Sequence, residues 1–129
     1  MIDHIGFPVS HFLNSRKFYL AVLEPLGIGI VTEVTAEQTG GSSHAGFGDN
    51  GKPYFWIGDG EGMVRGRFHI AFAAKTRADV DAFHRAALAA GGRDNGGSGL
   101  RPHYHQHYYA AFVLDPDGHN IEAVCHAPA

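Results

Sequence analysis

One cysteine, one tryptophan and two methionines are all that 129 residues provide of those types. The lone Cys125 cannot close an internal disulfide, and its place in the apolar run IEAVC predicts a buried thiol acting as a small hydrophobe. No stretch approaches the roughly 20 apolar residues needed to span a bilayer. The opening MIDHIGFPVS lacks the basic region and long apolar run of a signal peptide, so an unexported, cytoplasmic chain is expected. Cationic side chains are also sparse: ten Lys and Arg are scattered against 13 Asp and Glu, for a formal charge of −3. That leaves no electrostatic footprint for a nucleic-acid backbone or an anionic membrane surface. With 44% hydrophobic and 18% charged residues, the composition is globular, and the length fits a single domain over 1–129.

Two residue types are abundant, with 18 glycines and ten histidines. The glycines predict tight turns between many short strands. Sliding the sequence against itself by 65 positions organises the rest, because a repeated unit betrays itself as self-similarity at fixed spacing. His4, Ile5 and Phe7 then fall on His69, Ile70 and Phe72, Phe18, Ala21 and Leu23 on Phe83, Ala86 and Leu88, and Gly27 on Gly92. In the first copy IDHIGFPV reads as a strand. Ser10 is the expected N-cap of a helix over Phe12 to Leu23, stopped by Pro25 and Gly27. In the second, RFHIAFAA is the strand, Thr76 the cap, and Val80, Phe83, Ala87 and Leu88 the buried stripe. Three further strands are expected after each helix: GIVTEVT, SHAGFG and PYFWIG, then a Gly-rich stretch, HYYAAFVL and NIEAVC. The prediction is an α+β fold of two βαβββ modules, about 1–64 and about 65–129. The Gly-rich stretches Gly58 to Gly66 and Gly91 to Gly99 lack the strand-loop-helix setting of a phosphate-binding loop and read as connections. DPDG at Asp115 to Gly118 is a tight turn joining the last two strands.

Strand residues alternate between faces. If Ile5, Phe7 and Val9, Phe68, Ile70 and Phe72, and Ile121, Ala123 and Cys125 cover the helices, then His4, His69 and Glu122 all point to the opposite face. Two histidines at repeat-equivalent positions and one carboxylate inside the apolar NIEAV form a set suited to a divalent cation. Such a cation would satisfy a carboxylate that is costly to bury alone and would leave positions open for substrate. Arg65, Arg67 or Arg101 could instead pair with Glu122. The segment Arg101 to Tyr109, RPHYHQHYY, is the most unusual in composition. It reads either as an exposed loop entering a strand or as the mouth of a cavity. Extended as strand, it would put His103, His105 and His107 on one face and Tyr104 and Tyr108 on the other.

DHIGFPVSHFLNSRKFY, FHIAF and FVLDPDGHNIEAV together resemble the vicinal oxygen chelate superfamily of glyoxalases, bleomycin-resistance proteins and extradiol dioxygenases, over essentially the whole chain. The resemblance implies paired βαβββ modules in an open, barrel-like mixed sheet around a cavity, with helices on the outer face, and often a homodimer. It implies His4, His69 and Glu122 as ligands of a divalent ion (iron, manganese, zinc, nickel or cobalt) and His105 as catalytic acid or base. Trp56, His103, Tyr104, His107, Tyr108 and Phe112 would line the substrate pocket. Departures matter as much. Trp56 stands where glyoxalase I enzymes place an oxygen-bearing ligand, and Phe112 where extradiol dioxygenases carry a tyrosine. The pattern is most similar to a branch without an established reaction. It implies a metal enzyme of lyase, isomerase or dioxygenase type acting on a small oxygen-chelating substrate, or alternatively a metal-free module that sequesters a small planar molecule.

Overall fold

A computed structural model describes residues 1–60 and 68–129. Its first half runs β1 (Ile5–Pro8), α1 (Phe12–Leu23), β2 (Gly29–Val34), the single turn α2 (Ala36–Thr39), β3 (His44–Asp49) and β4 (Lys52–Gly58). The second runs β5 (His69–Ala73), α3 (Arg77–Ala89), the two-residue strands β6 (Arg93–Asp94) and β7 (Gly99–Leu100), β8 (Tyr109–Leu114) and β9 (Asn120–Cys125). The fold is mixed α+β, as the repeat predicts. The strands form two separate sheets, ordered β1-β4-β3-β2 and β5-β9-β8-β6, with β7 also on β8, and they are not closed into a barrel. In each sheet the module's first strand lies parallel to its last, β1 on β4 and β5 on β9, and the other pairs are antiparallel. The proposed boundary near residue 64 falls outside the described residues, as do Arg65 and Arg67.

Sequence dictates where the helices sit. In α1 the residues Ser15, Phe18, Tyr19, Val22 and Leu23 recur at three- and four-residue intervals and are buried, the stripe that an amphipathic helix turns to a core. A short 3-10 turn over Glu24–Leu26 follows, with Pro in its first positions, and Gly27 at φ 77 receives the chain. Only a residue without Cβ takes that left-handed conformation without strain. In α3 Val80, Phe83 and Ala87 are buried, whereas Leu88, expected in the stripe, is 43% exposed because it lies beyond the packed face. Thr76 caps α3 by accepting from the Asp79 N–H, as predicted. Ser10 does not cap α1. His11 accepts from Asn14 instead, while the Ser10 backbone and hydroxyl both donate to Asp117 in the DPDG turn.

One apolar cluster draws on both modules. Phe55 of β4 meets Phe72 of β5 edge to face at 5.1 Å, and Phe7 meets Phe68 at 4.9 Å, so the helix-side faces of the two sheets share a core. Cys125 belongs to it, 1% exposed, as expected of an inert thiol. A polar tie crosses the same core. Asp115, 3% exposed, accepts from the backbone of Asp117 and His119 on one oxygen and from the Tyr19 hydroxyl, at 2.5 Å, on the other. The hairpin turn of the second module is thereby fastened to the first module's helix. Tyr19→Phe leaves a buried carboxylate oxygen without a donor, a loss of about 1–3 kcal/mol. Denaturant unfolding should show it as a lower midpoint at unchanged slope, and a change under about 0.5 kcal/mol, the scale of an ordinary surface substitution, would rule the tie out as a stabilising element.

Candidate functional site

The register of the two sheets places the candidate residues. Gly6 pairs with Trp56 in the first sheet and Ala71 pairs with Glu122 in the second. Gly6 and Ala71 are equivalent under the repeat, so Trp56 occupies in the first module the place that Glu122 occupies in the second. Cross-strand partners share a face. Glu122 therefore stands on the open face of the second sheet, between Ala71 and Phe112, yet it is 1% exposed.

Two side chains cover it. His69 Nε2 lies 3.0 Å from Glu122 Oε1, and the Tyr108 hydroxyl donates to Oε2. His69 Nδ1 faces the Asn120 carbonyl oxygen at 3.0 Å. Both imidazole nitrogens of His69 thus meet oxygens that act as acceptors here. The bond to a backbone carbonyl requires the hydrogen on Nδ1, the tautomer whose Nε2 lone pair is left for a metal. Either a proton or a cation must lie between Nε2 and Oε1, and a divalent cation fits that donor set of one imidazole and one carboxylate. Burial first, and then the bond to the Glu122 carboxylate, push the Tyr108 phenol up to about 12, so it remains a proton donor at neutral pH. Arg101 is not the partner of Glu122: its guanidinium donates to the carbonyls of Gly97 and Gly99 and lies over the Phe112 ring.

His69, Glu122, Tyr104, Tyr108 and Phe112 line one cleft together with Asn120. His103, His105 and His107 do not line it. The segment expected to extend β8 reverses instead: Tyr104 and His105 donate to the Arg101 carbonyl, and Tyr108 donates to that of His105. The alternating faces read from composition are therefore not formed. The His103 ring lies 4.1 Å from that of Tyr104, tilted by 46°. The ring of His105 is 5.9 Å from His107 and 5.8 Å from His126, and the Tyr108 ring is 5.2 Å from His126.

His4 lies elsewhere, just ahead of β1 on the first sheet, in a cleft with Gly6, Lys52 and Trp56. Its side chain is 60% exposed. Nδ1 is 2.7 Å from Asp3 Oδ1, which also accepts from Lys52 at 2.7 Å. As with His69, an oxygen at Nδ1 favours the tautomer with its hydrogen on Nδ1, which leaves the lone pair on Nε2. Among the described residues, no three His, Cys, Asp or Glu side chains gather into a ready metal cage. His69 and Glu122 meet, whereas His4 lies on the other sheet, in a cleft that neither of them lines. Tyr108 is the contact that sequence reasoning undervalued, as a pocket wall. A donor that orients a ligand carboxylate typically contributes about 10–100-fold to metal affinity. Tyr108→Phe should weaken divalent-ion binding by that factor in a competition titration with a chromophoric chelator, and an unchanged affinity would remove Tyr108 from the site.

Comparison with known proteins adds the relatives. The profile of the Glyoxalase/Bleomycin resistance protein/Dioxygenase superfamily matches residues 1–123. A glyoxalase/bleomycin resistance protein from Albidiferax ferrireducens T118 is 28% identical, with 98% of each chain covered and a TM-score of 0.74. A genomically encoded fosfomycin resistance protein from Listeria monocytogenes shares the fold at 18% identity, TM-score 0.67, over 97% of this chain and 90% of that one. A glyoxalase I mutant from Zea mays shares it at 19% identity, TM-score 0.70, over 95% of this chain and 46% of that one. No curated protein matches the chain. No helix among the described residues is long and apolar enough to cross a membrane.

Proposed function

The chain belongs to the glyoxalase/bleomycin resistance protein/dioxygenase superfamily, and within it we propose that this protein is a divalent-metal enzyme for a small substrate that chelates through neighbouring oxygens. The observation that carries this reading is the buried Glu122 carboxylate 3.0 Å from the half-exposed imidazole of His69, whose other nitrogen is held by a backbone carbonyl. His69 and Glu122 supply two ligands, and His4 supplies a third from a first-module face. A bound divalent ion would contribute Lewis-acid stabilisation of negative charge developing on substrate oxygen. The chain's own groups do the rest. Asp3 and Asn120 fix the tautomers of His4 and His69, Tyr108 orients Glu122, and Phe112 and Tyr104 line the cleft. His105, which lies outside the cleft beside His126, is assigned the role of proton exchange with substrate.

A homodimer completes the picture. β1 and β5 are outer strands of their sheets, their residues Gly6, Ala71 and Ala73 are exposed and small, and open strand edges invite pairing. Anaerobic purification, elemental analysis and titration with iron, manganese, zinc, nickel and cobalt test the reading. Stoichiometric uptake of one of these ions is expected. Metal-free protein that takes up none of them would overturn it in favour of a small-molecule binding module.

Glyoxalase I catalysis is not expected. The place equivalent to Glu122 holds an indole, which has no lone pair for a metal and accepts no proton at neutral pH. Loss of general acid–base help at that place costs about 10²–10⁴-fold. Protein loaded with nickel, zinc, cobalt or manganese should convert the methylglyoxal–glutathione hemithioacetal with kcat/KM below about 10⁴ M⁻¹s⁻¹, the lower end of ordinary enzymes. A higher value with any of these ions would show that another residue fills the role.

A further inference from the structure

Leu100 pairs with Tyr109, and the chain between them forms an exposed loop at the end of the β7–β8 ladder. Pro102 through Gln106 are exposed, so hydrogen bonds rather than buried surface keep the loop closed. Arg101 donates to the Tyr108 carbonyl at 2.7 Å, Tyr104 and His105 donate back to the Arg101 carbonyl, and Tyr108 donates to that of His105. A segment of this kind, rich in exposed hydrogen bonds and poor in burial, opens at little cost in free energy. What it carries gives the opening a consequence. Tyr108 is the residue whose hydroxyl covers Glu122 Oε2, so closing the loop and covering the buried carboxylate are one event.

One of the closing bonds depends on a proton. The His107 N–H donates to His105 Nδ1 at 3.1 Å. An imidazole nitrogen accepts only through its lone pair, so this bond exists only while His105 is neutral, with its hydrogen on Nε2. A proton added at Nδ1 sets two N–H groups head to head. His107 is less exacting: its Nε2 lies 2.9 Å from the Gln106 amide nitrogen, and that amide can turn its oxygen toward a charged ring.

The surroundings of His105 also oppose charge. Its ring has His107 at 5.9 Å and His126 at 5.8 Å. Register brings His126 there, because Tyr109 pairs with Cys125 and the residues just beyond, Tyr108 and His126, then meet. His103 lies on the same loop beside Tyr104, and the Arg101 guanidinium adds a fixed positive charge bound to the Gly97 and Gly99 carbonyls. Among the described residues, no carboxylate forms an ion pair with Arg101 or with any of these four histidines. The Glu122 oxygens are taken by His69 and Tyr108.

We propose that the loop 101–108 is a proton-operated cover, closed over Glu122 while His105 is neutral and opened when His105 is protonated, so that Tyr108 leaves the carboxylate as pH falls. The closed loop binds fewer protons than the open one. Closure is therefore favoured above the ordinary histidine range, about 6.5, and is lost below it. The functional weight of the cover rests on the assignment of His69 and Glu122 as metal ligands. The cover itself needs no metal, and a test on metal-free protein separates its failure from failure of that assignment.

The His107 amide is the probe, followed by residue-resolved hydrogen exchange corrected for the pH dependence of the intrinsic rate. A bond that requires one neutral imidazole makes the opening constant about tenfold larger at about pH 5.5 than at about pH 7.5. The His107 and Tyr108 amides should lose about that factor of protection while the amides of β8 and β9 keep theirs. A nitrogen spectrum at about pH 7.5 should show His105 with its hydrogen on Nε2. His105→Asn offers an amide oxygen to the same N–H two residues on and does not titrate, so its loop should stay protected at both pH values. His105→Ala has no acceptor and should leave the His107 amide unprotected at both. Equal protection of the wild-type loop at the two pH values, an undiminished pH effect in His105→Asn, full protection in His105→Ala, or a hydrogen on His105 Nδ1 at about pH 7.5 would overturn the proposal. Equal loss of protection in β8 and β9 would also overturn it, because that is acid unfolding of the second sheet and not movement of a cover.

Discussion

Glu122→Gln is expected to abolish tight divalent-ion binding while leaving the protein folded, with a thermal midpoint equal to or above that of the wild type. Both halves of that result follow from the surroundings of the carboxylate. Glu122 is 1% exposed, and its two oxygens meet His69 and the Tyr108 hydroxyl. Glutamine has the same shape and keeps one acceptor oxygen, and the Tyr108 hydroxyl can rotate to accept from the new amide. The substitution therefore removes the desolvation penalty of a buried anion without opening a cavity, and the partner left behind, His69, is half exposed to solvent rather than a stranded buried charge. Under the proposed ligation, a bound ion would lose its one anionic ligand in the same step. The decrease in affinity should exceed the roughly 10–100-fold expected when only an outer partner is lost. His69→Ala should act in the same direction on metal, but it leaves Glu122 with one donor fewer and should lower the midpoint. Calorimetric titration with zinc and manganese, alongside thermal unfolding of the metal-free proteins, separates ligation from packing. Wild-type affinity in Glu122→Gln would exclude Glu122 as a ligand. A stability loss of several kcal/mol in that variant would mean that the carboxylate serves the fold, since only removal of one partner from a required buried pair costs that much.

The difference between His4 and His69 marks the limit of what parity tells. Alternation along the strands assigns the helix-facing sides, with Phe7, Val9, Phe72, Ile121, Ala123 and Cys125 buried, but fails at the start of β1, where Ile5 is 38% exposed. It likewise puts Glu122 opposite Ala71 on the other face. The repeat is legible because the same local solution, a capped helix closed by glycine and packed on its strand, is written twice. Parity is a property of each strand within its own sheet, however. It says nothing about whether two sheets turn their open faces to each other, and the order β1-β4-β3-β2 beside β5-β9-β8-β6 puts the two equivalent histidines on separate surfaces. The aromatic segment was illegible for a local reason. HYHQHYY alternates as a strand would, but the hydrogen bonds of Tyr104 and His105 to Arg101 turn the chain back on itself. That reversal aims Tyr108 at Glu122 and leaves His103, His105 and His107 outside the cleft. Ser10 was misjudged because its competitor lies 107 residues away in sequence. The Asp117 carboxylate is a stronger acceptor for the Ser10 hydroxyl than a helix terminus is a donor to it.

Those separate surfaces lead to the second large effect, which concerns how His4 joins His69 and Glu122. If the complete site is formed between two copies of the chain, a His4→Ala protein and a Glu122→Ala protein should each be defective alone and recover metal binding when mixed. In a two-fold dimer every contact occurs twice, with the partners' roles exchanged. A mixed dimer would therefore hold one site lacking both His4 and Glu122, and one site in which His4 comes from the Glu122→Ala chain and His69 with Glu122 from the His4→Ala chain. That second site is intact. Random exchange makes half of the dimers mixed, so about a quarter of wild-type binding capacity should return, at wild-type affinity. If all three ligands came from one chain, every site in every dimer would carry a defect and mixing would restore nothing. The two arrangements differ by presence against absence of tight binding, well beyond titration error. The measurement needs only co-refolding or prolonged incubation of the two proteins, a size determination to establish that dimers form and exchange, and a zinc titration before and after mixing. Recovery would assign His4 to the partner's half-site. Dimers that exchange without recovery would place the three ligands within one chain and require the first and second sheets of that chain to close on each other when the ion binds.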